Sequence, residues 1–174
     1  FRSGNSTKPS FAEWHKQVGN WFVRKDEHPD GLKDVLAEVK KSGLKFLLWF
    51  EPERGYAGTE LVEQHPDWFY PADGFYLLIK LEQDEVREYL FNMLCKFIDD
   101  LDIKCYRQDF NMPPLRSWRM ADEKERIGIH EIKYITNLYR LWDDLLAKYP
   151  DLVIDNCAAG GRRIDIEMMA RSVP

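Results

Sequence analysis

Cysteine is scarce in this chain. Cys95, Cys105 and Cys157 are the only three among 174 residues, and no two of them make a CxxC or CxH spacing. So small and odd a set argues against a disulfide framework, and a reducing cytoplasm is the expected compartment. Histidine is equally sparse and scattered. His15, His28, His65 and His130 form no HExxH and no His-rich cluster, so neither a protein-built metal site nor a cofactor is expected, and surface positions are expected for all four. Basic charge is in deficit. With 25 Lys and Arg against 30 Asp and Glu the net charge is -5, the wrong sign for gripping a phosphate backbone, and nucleic acid is not an expected partner. Long apolar runs are missing too. The longest, residues 46–50, is far below the roughly 20 residues of a membrane-spanning helix, and the polar start Phe1-Arg2-Ser3-Gly4-Asn5 does not read as a signal peptide. A soluble chain without a membrane partner is expected, and the initial Phe1, in place of a Met, leads to the expectation of a chain cut from something longer. No repeat, low-complexity tract or GxGxxG after a strand is present.

What is present is 44% hydrophobic residues, enough for one core, and 14% aromatics, whose flat faces with one polar edge suit sugar rings as well as they suit cores. Residues 1–30 read as a loop-rich lead-in and residues 31–174 as βα units. Leu32, Val35, Leu36 and Val39 follow helical spacing and Gly43 stops that helix. Residues 44–50 then read as a buried parallel strand. A loop-rich stretch with one helical turn near residues 59–63 leads to a second strand at 75–81. Val86, Tyr89, Leu90, Met93, Leu94, Phe97, Ile98 and Leu101 form one wide helical stripe. A third strand at 103–110 and a loop at 112–128 follow. Next come a long helix ending before Pro150, a fourth strand at 152–154, and the start of a helix within 164–169.

Strands alternating with amphipathic helices predict an α/β fold with a parallel sheet. Two architectures compete, an open doubly wound sheet and a (β/α)₈ barrel, and the missing dinucleotide fingerprint favours the barrel. Either one places its site at the carboxyl ends of strands, where this chain puts Glu51, Asp109 and Asp155-Asn156.

Three strand-end segments carry chemistry. In Trp49-Phe50-Glu51-Pro52-Glu53, Trp49 is suited to stack on a sugar ring while Glu51 or Glu53 accepts hydroxyl hydrogen bonds; the plainer reading is a strand end with solvated charge. In Tyr106-Arg107-Gln108-Asp109-Phe110-Asn111, a positioned, ionised Asp109 is suited to attack an anomeric carbon. The alternative is an Arg107–Asp109 ion pair on one strand face. Asp155-Asn156-Cys157-Ala158-Ala159-Gly160-Gly161-Arg162-Arg163 lacks the Lys-Ser/Thr pair of a P-loop. Its small residues serve either a close backbone approach to a ligand or a tight strand-to-helix turn. Cys157, with no His nearby in sequence, reads as buried and not as a nucleophile. The run Asp122-Glu123-Lys124-Glu125-Arg126 reads as a solvated face or a helix start.

In this order, the three segments resemble glycoside hydrolase family 36, the bacterial α-galactosidases. Leu48-Trp49-Phe50-Glu51-Pro52-Glu53 matches the family's leucine-tryptophan-phenylalanine-glutamate-proline-glutamate. Arg107-Gln108-Asp109-Phe110-Asn111 is similar to its lysine-tryptophan-aspartate-methionine-asparagine, in an arginine-glutamine variant. The segment from Asn156 to Asp165 is similar to its asparagine-cysteine-serine-serine-glycine-glycine-glycine-arginine-phenylalanine-aspartate. The likeness runs from about Trp14 to the last residue.

The resemblance implies a partial (β/α)₈ TIM barrel, with about four parallel strands and flanking helices, from an enzyme that hydrolyses terminal α-galactosides with retention. It implies Asp109 as nucleophile and places Trp49, Glu51, Arg107, Asn111, Cys157, Gly160 and Gly161 against the substrate, with no metal. Arg107 in place of the family's lysine keeps the charge and changes its shape. The family's acid/base aspartate lies just beyond a segment like Arg171-Ser172-Val173-Pro174, and its first-strand aspartate pair lies before Trp14, so neither is expected in this chain. Lys80-Leu81-Glu82-Gln83-Asp84-Glu85 also departs from the family's leucine-glycine-asparagine-proline-glutamate. The expectation is a fragment of a catalytic barrel, about 174 residues against the roughly 250 of a full one. Alone it is expected to turn over little substrate and to self-associate, or to require the rest of the barrel, through its unpaired strand edges. The alternatives are a non-catalytic galactoside-binding or scaffold half-barrel, and a retaining hydrolase of related specificity such as an α-N-acetylgalactosaminidase.

Overall fold

Alternate residues of the first strand have opposite fates, and that alternation organises the molecule. The computed structural model describes residues 11–174, so the first ten residues of the loop-rich lead-in lie outside the described part. Strand β1 (Phe46–Phe50) lies beside β4 (Ile103–Gln108), which lies beside β5 (Val153–Asn156), all parallel and in chain order. Leu48, Tyr106 and Ile154 are in register on one face and are buried. Leu47, Cys105 and Val153 are in register on the other, where Leu47 and Val153 are 45% and 43% exposed. The period-2 rule thus separates a covered face from an open one.

Helices α3 (Asp84–Leu101) and α5 (Ile129–Lys148) cover the buried face. The first brings Val86, Leu90, Leu94, Ile98 and Leu101 inward at helical spacing. The second adds Tyr134, Leu138, Leu141, Trp142 and Leu145. These residues, Phe50 and Tyr106 make one continuous core. Helix α1 (Lys33–Lys41) precedes β1 and ends where Gly43 takes φ +67°, a conformation that costs glycine little. No helix among the described residues is long and apolar enough to cross a membrane.

The expected second parallel strand is corrected. Of residues 75–81 only β3 (Tyr76–Leu78) is a strand, and it pairs antiparallel with β2 (Arg54–Tyr56) in a separate two-stranded hairpin. Of its residues Leu78 is buried, in the same core as the main sheet, while Tyr76 stays 41% exposed. Gly55 permits the pairing, because a Cβ there would lie 2.6 Å from Val62 Cγ2. The parallel sheet therefore has three strands, not four. One parallel bridge, Asp155 to Val173, extends it at the end of the chain.

The one-turn helix near residues 59–63 is α2 (Glu60–Gln64), and α6 (Ile166–Met169) falls inside the segment expected to start a helix. Residues 112–128 are not all loop, since α4 (Leu115–Ala121) forms after Pro113-Pro114 and buries Trp118. The charge run that follows is not simply solvated. Asp122 is 2% exposed in its side chain and accepts the N–H groups of Gly128 (2.7 Å) and His130 (3.2 Å), joining α4 to α5. All four histidines are only partly exposed, and His65 stacks on Trp68 with centroids 3.7 Å apart.

Candidate active site

The three adjacent strands end at one place. β1 ends in Trp49-Phe50 and then Glu51, β4 in Gln108 and then Asp109, and β5 in Asn156 and then Cys157. The ladder continues past the strands, with the Asp109 N–H donating to Phe50 O and the Cys157 N–H to Gln108 O, each at 2.8 Å. Asp109 and Cys157 are therefore held as rigidly as strand residues.

Asp109 is half-buried and surrounded by donors. Its Oδ2 accepts from Asn111 Nδ2 at 2.8 Å and from Trp49 Nε1 at 3.1 Å, and its Oδ1 accepts the Phe110 N–H at 2.8 Å. Burial pushes its pKa up, but hydrogen bonds from Asn111, Trp49, the Cys157 thiol and Phe110 outweigh it, so the carboxyl titrates below the usual aspartate value. It is an oriented, ionised carboxylate. Arg107 is not its partner, because the Arg107 guanidinium donates to Asp155 Oδ2 at 2.6 Å across the sheet instead. The two residues belong to the same register row, so their side chains share a face.

Trp49 is less open as a stacking surface than its strand-end position implies. Its N–H is committed to Asp109, and its ring meets Trp14 edge-on with centroids 5.3 Å apart. Glu51 is corrected more strongly. It is fully buried, Arg54 Nη2 donates to one oxygen at 2.5 Å, and the Asn111 N–H donates to the other at 2.6 Å. Burial raises its pKa against the lowering effect of Arg54. Both oxygens are engaged inside the protein, and none of the side chain is exposed.

Ala159, Gly160 and Gly161 have φ of +47°, +89° and +143°, a run that glycine tolerates and other residues resist. Open space surrounds the position where a Gly160 Cβ would sit, so this loop presents backbone beside Cys157 without side-chain bulk. Cys157 itself is half-buried, with its thiol turned to Asp109.

Beneath the strand ends lies a polar network that reading the sequence does not assemble. Glu53 is fully buried and receives Arg163 in a two-pronged contact (2.6 and 2.8 Å), Tyr134 Oη at 2.8 Å and Gln108 Nε2 at 2.7 Å. Gln108 Oε1 in turn accepts from Trp142 Nε1 (2.7 Å) and Tyr106 Oη (2.8 Å). Burial works against the Arg163 charge, yet the Glu53 carboxylate raises its pKa above the usual value. One signal was available: Gln108 shares the inward phase of β4 with Tyr106, and a buried glutamine requires partners.

A family model described as Melibiase matches residues 11–173. α-Galactosidase AgaA of Geobacillus stearothermophilus is 27% identical over 163 residues, covering 88% of this chain and 22% of that protein. α-Galactosidase Mel36A of Lactobacillus acidophilus is 30% identical over 160 residues, covering 87% and 22%. Among solved structures, the α-galactosidase of Lactobacillus brevis superposes with a TM-score of 0.78 at 30% identity, covering 90% of this chain and 22% of its own. A substituted AgaA in complex with stachyose gives a TM-score of 0.80 at 25% identity, covering 90% and 23%. The chain spans about a fifth of the length of these relatives. With nearly all of its described residues inside the family model, and with the three strand-end segments at one site, this chain belongs to the Melibiase family, the α-galactosidases of glycoside hydrolase family 36.

Proposed function

We propose that this chain supplies the nucleophile half of a retaining α-galactosidase, and that residues 1–174 are part of its catalytic (β/α)₈ barrel. The observation that carries the reading is Asp109, ionised at the carboxyl end of a central strand and held by donors from three segments. In a retaining mechanism an Asp109 oxygen attacks the anomeric carbon as the bond to the leaving oxygen breaks. That oxygen takes a proton from a general acid, and water, deprotonated by the same group, then releases galactose and restores the carboxylate. On this reading the proton donor is not among residues 1–174, and the chain alone turns over little substrate. Trp49, Arg107, Asn111, Cys157, Gly160 and Gly161 line the galactose site, and Glu51 supports it from behind.

Support for the barrel comes from a sheet in chain order, covered on one face only. A doubly wound sheet is covered on both faces, whereas a barrel arc buries its inner row, here Leu47, Cys105 and Val153, against the remaining strands. Substituted forms of one relative, AgaA, are crystallised with raffinose and with stachyose, which supports an oligosaccharide α-galactoside as substrate.

A galactose-configured epoxide, which traps the nucleophile covalently, tests the reading in a protein carrying this chain within its complete barrel. The expected adduct is on Asp109, located by peptide mass spectrometry, and Asp109→Asn is expected to lower kcat by about 10³-fold or more. Hydrolysis that survives in Asp109→Asn, or labelling of another carboxylate, would refute the assignment. Saturable galactoside binding without any hydrolysis would instead favour a sugar-binding half-barrel.

A further inference from the structure

The Arg163 guanidinium makes two contacts of different kinds. Its edge forks onto the Glu53 carboxylate, at 2.6 and 2.8 Å. Its flat face lies over Phe110, with the guanidinium carbon 4.3 Å from the ring centroid, well inside the distance at which a cation and an aromatic face attract each other. Water is largely excluded from both, since Glu53 is fully buried, Phe110 is 4% exposed and the Arg163 side chain 12%. A planar guanidinium can satisfy the fork and the stack together, which a lysine ammonium cannot.

Both ends of this arrangement lead to the strand-end site. Phe110 follows Asp109, and its backbone N–H donates to Asp109 Oδ1 at 2.8 Å. A buried ring under the guanidinium fixes the peptide that carries this donor. On the other side, the Arg163 carbonyl accepts Asn156 Nδ2 at 3.1 Å, and the Arg162 N–H donates to Ala158 O at 3.0 Å, closing the turn at residues 159–161. One buried side chain thus ties the glycine loop to a donor of the Asp109 carboxylate. Stability alone does not call for a charge here, because apolar residues of similar volume often replace a buried ion pair without loss.

We infer that Arg163 is a positioning residue for the Asp109 carboxylate, acting through its stack on Phe110, and that it holds the glycine loop beside the same carboxylate. The inference rests on the α-galactosidase reading and deepens it, by adding to the site a residue that acts through another.

The test uses a protein carrying this chain within its complete barrel, with kcat expressed per active site titrated by the galactose-configured epoxide, so that unfolded protein does not count. Phe110→Leu keeps the backbone N–H and an apolar side chain, a swap that cores tolerate, and removes the aromatic face. Arg163→Lys keeps a positive charge at Glu53 and removes the fork and the plane. In both variants kcat for an aryl α-galactoside is expected to fall by about tenfold, with KM within about threefold of the parent. The acid limb of kcat/KM is expected to move to higher pH, because a misplaced Phe110 N–H stabilises the Asp109 anion less. Glu51, after β1, and the Cys157 thiol, after β5, also bear on the Asp109 charge, and both variants leave them in place. In Phe110→Leu, either a kcat within about twofold of the parent or an unmoved acid limb would overturn the positioning role, whatever Arg163→Lys does. A parent that hydrolyses nothing and takes no label at Asp109 would sink the hydrolase reading and this inference with it. An active, labelled parent whose variants match it sinks this inference alone.

Discussion

The Glu51 carboxylate accepts the backbone N–H of Asn111 at 2.6 Å, tying the end of β1 to the turn after β4 across 60 positions of sequence. Asn111 then carries that constraint to Asp109 through its side-chain amide. Glu51 is itself fixed by Arg54, which also lines a cleft beside Asn111. One buried carboxylate thus places the donor that orients Asp109 and anchors a cation at the neighbouring cleft.

Glu51→Gln is expected to disturb this chain of contacts without removing any group that touches substrate. An amide can accept one of the two hydrogen bonds, but it leaves the Arg54 charge unpaired in a buried setting. A displacement of Asn111 by about an ångström is enough to cost on the order of 10²-fold in kcat/KM. Most of the loss is expected in kcat, since the sugar-facing groups remain. Steady-state kinetics on an aryl α-galactoside, in a protein carrying this chain within its complete barrel, check this, and a loss confined to KM would show that Glu51 acts on binding instead.

Asp109 is expected to set the acid limb of kcat/KM, and its neighbours fix the direction in which that limb moves. Because its donors hold the carboxyl below the usual aspartate value, the Asp109 carboxylate stays ionised through the mildly acidic range. Asn111→Ala deletes one donor to the anion, so the anion is less favoured, the pKa rises and the limb shifts to higher pH. Trp49→Phe is expected to act in the same direction. The stability linkage has a matching sign. A depressed carboxyl contributes stability above its unfolded pKa and loses it as pH falls through the folded value, so Asn111→Ala should lose less stability on acidification than the parent. An acid limb unmoved in both variants would assign it to another group.

Much of this arrangement was legible before the fold was known, and the limits have physical causes. The stripes of α3 and α5 repeat every three or four residues over many turns, and long periodic signals survive any packing detail. The polar strand ends at Glu51, Asp109 and Asn156 announced the site because burying such groups demands partners. Residues 75–81 misled because a short apolar run reads alike in a parallel sheet and in a hairpin; the pairing depends on Gly55 and its neighbours, which are distant in sequence. Arg107 was readable as a partner for Asp109 by strand alternation alone, but the choice between Asp109 and Asp155 is made by sheet register, which one strand does not encode. Glu51 showed its charge and not its burial.

The Glu53–Arg163 pair is expected to be the most sensitive point for stability. Glu53 is fully buried and takes hydrogen bonds from Arg163, Tyr134 and Gln108, which joins β1, β4, α5 and the loop after β5 in one network. Replacing it by glutamine removes the counter-charge and puts a donor where Arg163 also donates. Breaking one partner of a buried pair costs about 3–5 kcal/mol, a large fraction of the stability of a chain this size. Urea unfolding of the purified chain, followed by tryptophan fluorescence, is expected to show a lower midpoint for Glu53→Gln. The double variant Glu53→Gln with Arg163→Met removes the stranded charge as well and is expected to recover part of the loss. A cost below about 1 kcal/mol for the single variant, the range of an exposed ion pair, would mean that the network is solvated in solution and does not hold the strand ends together.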